Sequence, residues 1–86
     1  MISFSDWNAL LLYADELEEK FAADHGTKIV IRPCLNLMYE KCMAISVLDY
    51  KGNEFGEPHI TAPLTNLMDG KIIMAEAIEK IAKSLK

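Results

Sequence analysis

The sequence predicts an α+β fold in the order α-β-β-β-α, with two helices packed on one face of a small three-stranded antiparallel sheet. Three observations carry this expectation. A 3.6-residue apolar period runs through each end of the chain, two β-branched or alternating stretches lie between them, and glycine and proline punctuate the middle. The 86 residues suit a single domain, taken here as 1–86.

The first helix is expected from about residue 5 to 24. Ser3 and Ser5 are both good N-caps, and Ser3 with Asp6 has the spacing of a capping box. Trp7, Leu10, Leu11, Ala14, Leu17 and Phe21 fall on one face, and Glu16, Glu19 and Lys20 fall on the other. Gly26 follows as a left-handed terminator.

Two strands come next. Lys28 to Arg32 is short and β-branched, and Lys41 to Tyr50 alternates with Met43, Ile45 and Val47 on one side. A hairpin centred on Met38 sets Ile29 opposite Val47 and Ile31 opposite Ile45, which places all four on the same face. The other face then carries Val30, Arg32, Cys42, Ala44, Ser46 and Leu48, a mixed set.

Residues 51–58 read as a turn-rich connection, and His59 to Ala62 as a short edge strand between Pro58 and Pro63. The last helix begins between Thr65 and Asp69, with Leu67, Met74, Ile78, Ile81 and Leu85 as its apolar face. Glu76–Lys80 and Glu79–Lys83 are spaced for ion pairs along it.

Composition narrows the function classes. The net charge is −4, with six acids against the single base Lys20 in residues 1–26. An acidic chain gains nothing from neutralising phosphates, so direct nucleic-acid binding is not expected. The element order resembles that of double-stranded-RNA-binding domains, in architecture only. Such domains need a basic start to the second helix, and here Met68-Asp69-Gly70-Lys71-Ile72-Ile73 carries one acid and one base. The longest uncharged apolar run, Ala9 to Ala14, is far too short for a membrane span. The first fifteen residues hold acids but no Lys or Arg, so no secretory leader and a cytoplasmic location are expected.

Reactive chemistry finds little support. His25, Cys34, Cys42 and His59 lack the paired spacing of a zinc site, so no metal or other cofactor is expected. The hairpin sets Cys34 opposite Cys42, where a cross-strand disulfide is conceivable, but Glu40 offsets the nearby cation Lys41. No phosphate loop or nucleophile elbow occurs, and no catalytic residue is expected.

One segment resists a purely structural account. The hairpin tip Leu35-Asn36-Leu37-Met38-Tyr39 offers two leucines, a methionine and a tyrosine and no glycine, where tips normally carry Gly, Asn, Asp or Ser. The segment either folds back as core or makes an interface, and Leu12 and Tyr13 of the first helix could extend it. The expected function is a small non-catalytic protein-interaction module, working as a homodimer through 35–39 and the mixed sheet face. The alternative is an acidic inhibitor or decoy, of the kind mobile elements such as phages carry. It would occupy a partner's basic site through Asp15, Glu16 and Glu19.

Overall fold

In the computed structural model, which describes residues 1–85, the elements are α1 (Phe4–His25), β1 (Ile29–Leu35), β2 (Lys41–Leu48), β3 (Glu54–Ile60) and α2 (Leu67–Ser84). The α-β-β-β-α order and the antiparallel sheet, in strand order β1-β2-β3, are as the sequence predicts. The β1–β2 register pairs Ile29 with Val47, Ile31 with Ile45 and Cys34 with Cys42.

Strand limits differ from expectation. β1 continues past Arg32 through Pro33 to Leu35. An edge strand tolerates Pro33 because no neighbour needs its missing N–H. The third strand is longer than His59 to Ala62 and begins at Glu54, inside the stretch read as a turn. The turn itself is tighter, closed by Asp49 and Asn53. Gly56 at φ 76° and Pro58 fall where the β2–β3 register shifts, so the bulge absorbs both residues.

The helices start where local hydrogen bonding dictates. Ser3 is the N-cap of α1, its Oγ accepting from the Asp6 N–H at 3.2 Å. The Asp6 carboxylate does not complete a capping box. It crosses to α2 and accepts the Leu67 N–H at 3.1 Å. The N-cap of α2 is Asn66, inside the expected interval but neither of the residues favoured there, and its side chain accepts from the Asp69 N–H at 2.9 Å.

Early residues of α1 meet early residues of α2, as Leu10 meets Gly70, and Phe21 shares a groove with Ala82 near the other end. The two helices therefore run parallel. Their N-terminal dipoles point the same way and would repel, and the Asp6 carboxylate sits against the second of them.

The core gathers Leu10, Ala14 and Phe21 from α1, Ile29, Ile31, Met43 and Ile45 from the sheet, Met74, Ala77 and Ile81 from α2, and Ile2 and Leu64 from the segments just before the two helices. Leu17 and Ile78 pack against it half-buried, and Leu85 is exposed at the C-cap. The expected Glu76–Lys80 and Glu79–Lys83 ion pairs do not form; among the described residues the one salt bridge joins Arg32 to Glu54. No helix among the described residues is long and apolar enough to cross a membrane.

Candidate interaction site

The β1–β2 loop is built by one side chain. Asn36 Oδ1 accepts the backbone N–H groups of Met38 and Glu40 at 2.9 and 3.0 Å, and Asn36 Nδ2 donates to Glu40 Oε1 at 3.1 Å. The Asn36 N–H donates to the Glu40 carbonyl and the Tyr39 N–H to the Asn36 carbonyl. Turn chemistry is thus present after all, supplied by an asparagine in the residue before the loop. A three-residue loop of this kind needs its last residue in the left-handed region, where glycine is normal. Here Tyr39 takes that position at φ 59°.

The apolar side chains of the loop face water. Leu37 is 100% exposed, Met38 77% and Tyr39 84%, and Leu35 at the end of β1 is also exposed. The segment is not part of its own chain's core. Beside it lies a cavity of about 380 Å³, lined by Leu35, Met38, Tyr39 and Pro63 together with Ile2 and Leu64, which are themselves buried. Lys41 and Glu40 stand at its rim, with the Lys41 ammonium 4.8 Å from the centre of the Trp7 ring. Leu64 reads in the sequence as an isolated apolar residue near an element boundary, and the β3–α2 connection brings it beside the tip.

Leu12 and Tyr13 do not extend this patch. Leu12 is exposed on α1, and Tyr13 lines the groove between the helices with the Lys71 ammonium 5.2 Å from its ring centre.

The mixed sheet face is more closed than its composition suggests. Arg32 on β1 donates to Glu54 on β3 at 2.9 Å, reaching across the middle strand, which carries the small residues Ala44 and Ser46 on this face. Cys42 and Ser46 are buried there. Both cysteines are free thiols. Burial pushes the Cys42 thiol above its ordinary pKa, and Cys34 and Glu40 raise it further, so it is a weak nucleophile.

Both sheet edges are blunted. The Ile31 N–H on β1 donates to Glu18 Oε2 of α1 at 2.7 Å, and Pro33 has no N–H to offer. On β3 the Gly56–Pro58 bulge breaks the row of donors. Such devices discourage pairing with a further strand. Among the acids of α1, Glu18 is committed to Ile31, whereas Asp15, Glu16 and Glu19 are exposed. Among the described residues, no cluster of three or more His, Cys, Asp or Glu side chains is placed to hold a metal.

No protein-family model matches the chain, and no curated protein or solved structure does either.

Proposed function

We propose that this chain is a non-catalytic protein-interaction module that self-associates through the 35–39 hairpin tip. The observation that carries the reading is Tyr39. A bulky residue in the left-handed region costs roughly 1–2 kcal/mol, which glycine would avoid. Strain of this kind collects where a side chain is needed for something other than the local fold. The exposed Leu37 and Met38 beside it make a continuous apolar surface. Blunted sheet edges leave the tip as the better route to a partner.

Replacing Leu37 with Asp and Met38 with Lys tests this. The double variant is expected to keep its circular dichroism and its melting temperature within a few degrees, because both side chains already face water. It is also expected to sediment as a monomer under conditions where the unaltered chain associates. Association that survives the substitutions would remove the tip from the interface.

A second reading rests on Asp15, Glu16 and Glu19, three exposed carboxylates in no ion pair among the described residues. They form a negative ridge suited to a partner's basic site. Salt separates the two readings, since contacts through this ridge weaken steeply as ionic strength rises and apolar docking does not.

A further inference from the structure

Independently of the reading above, we propose that Cys34 and Cys42 are a redox-modifiable pair. A low-molecular-weight disulfide of the glutathione type oxidises them to a reversible cross-strand bridge that ties the feet of the hairpin tip.

The register carries the argument. The chain has two cysteines, and the β1–β2 pairing sets them directly opposite each other on the face turned away from the helices. The Asn36 N–H donates to the Glu40 carbonyl and the Leu48 N–H to the Lys28 carbonyl. Every second pair between these two belongs to the hydrogen-bonded set, Cys34 with Cys42 among them. Cα atoms in such a pair stand about 5.5 Å apart, inside the ~4.4–6.8 Å range that a disulfide spans. Their Cβ atoms stand about 5 Å apart, wider than the ~3.8 Å of a relaxed bridge. The strands must draw together to close it, and a bridge held under strain is reduced easily.

Burial orders the two steps. Cys34 is partly exposed, and Cys42 is fully buried although it stands outside the core cluster. An oxidant from solvent therefore meets Cys34 first. The Cys34 thiolate attacks one sulfur of the oxidant, forming a mixed disulfide and releasing the other half as a thiolate. The Cys42 thiolate then attacks the Cys34 sulfur and releases the second half. Two protein thiols give up two electrons and two protons, and the oxidant leaves as two thiols. The Cys42 thiol rests on the Glu40 carbonyl at 3.5 Å, and burial, with Cys34 and Glu40, raises its pKa. Such a thiol is slow toward solvent, and its open target is the sulfur beside it, where proximity compensates for weak nucleophilicity. The bridge fastens the chain just outside the loop that holds Tyr39 in the left-handed region, so the loop no longer frays from its base.

The test uses the full chain, reduced and then exposed to oxidised glutathione under native conditions. It is followed by intact mass and by thiol labelling after denaturation. The unaltered chain is expected to lose both free thiols and the mass of two hydrogens while remaining a single covalent chain, and to recover both thiols in excess reduced glutathione. Cys42→Ala, which keeps a small apolar group in place of the buried thiol, is expected to stop at a glutathione adduct on Cys34. Cys34→Ala is expected to react roughly tenfold more slowly than Cys42→Ala, because its remaining thiol is buried. If Cys42→Ala does not fold, acid quenching of the unaltered chain decides. An adduct on Cys34 that precedes the bridge supports the order, and an adduct on Cys42 overturns it. A glutathione adduct that persists in the unaltered chain, a bridge between two chains, or thiols that react only in urea overturns the pair as a redox site.

Discussion

The two turns of the sheet have the same architecture and opposite contents. At one end of β2, Asn36 accepts the N–H groups of residues 38 and 40, and residue 39 is left-handed. At the other end, Asp49 Oδ1 accepts the N–H groups of Lys51 and Asn53 at 2.8 and 3.0 Å, and Gly52 is left-handed at φ 86°. The backbone bonds correspond as well, with Asp49 N–H to the Asn53 carbonyl and Gly52 N–H to the Asp49 carbonyl. Equal geometry makes equal demands on the chain. The second turn meets them with glycine, and the first meets them with tyrosine flanked by leucine and methionine. The geometry of the turn does not account for that difference, and the proposed contact at the tip rests on it.

The comparison depends on a frame that holds both turns rigid, and the largest expected effect is at that frame. Gly70 is the one helical glycine in the described residues, and its demand is for space. A Cβ there would stand 2.6 Å from Leu10 Cδ1, and Leu10 is fully buried. Alanine gains up to about 1 kcal/mol of helix propensity over glycine. Overpacking a close contact costs about 1–3 kcal/mol and here has little room to relax. Gly70→Ala is therefore expected to lower stability in urea unfolding despite the better helix former. In the background of Leu10→Ala the same change is expected to be far milder. Equal losses in both backgrounds would place the strain elsewhere.

Gly70 also shows what the sequence leaves hidden. The helices and most of their apolar faces follow from periodicity, and alternation puts Ile29, Ile31, Ile45 and Val47 on one face, which rules out a one-residue slip of β1 on β2 but leaves two-residue shifts open until the turn is seen. Gly70 reads as a weak spot near a helix start, since a close helix–helix approach involves a residue sixty positions away. β3 is obscured for a related reason. Its Phe55-Gly56-Glu57-Pro58 carries loop composition, and the pairing with Val47 and Ile45 makes it a strand. The tip residues stand out by composition, yet the cavity beside them does not. Ile2 and Leu64 are brought there by the tertiary fold.

A smaller loss is expected when either turn is robbed of its organising side chain. Asn36→Ala and Asp49→Ala each remove an oxygen that accepts two backbone N–H bonds. At a net ~0.5–1.5 kcal/mol per bond, and with water replacing part of each in these exposed loops, about 1 kcal/mol apiece is expected. Similar values would show that the turns are energetic as well as geometric equivalents. A much smaller loss at Asn36 would mean that the tip is held by something other than its own loop.

Exchanging the left-handed residues includes the smallest change in stability, at Tyr39, and gives the sharpest test. Gly52→Tyr copies the first turn into the second and is expected to cost ~1 kcal/mol, the left-handed penalty less the entropy that glycine loses on folding. Tyr39→Gly does the reverse. It relieves roughly 1–2 kcal/mol of strain, gives back roughly 0.5–1 through the more flexible unfolded chain, and so leaves a gain of about 0.5 kcal/mol. Both can be read from urea midpoints at constant m-value. The gain matters because it should come with a loss. Tyr39 is exposed and walls the cavity, so removing its ring strips apolar surface from the contact, and dimerisation should weaken as the monomer becomes more stable. Residues kept for function at the expense of stability behave in this way. A Tyr39→Gly variant that is less stable would show that the ring packs against its own chain. One that is more stable and associates unchanged would leave the tyrosine without a role in binding and end the contrast between the turns.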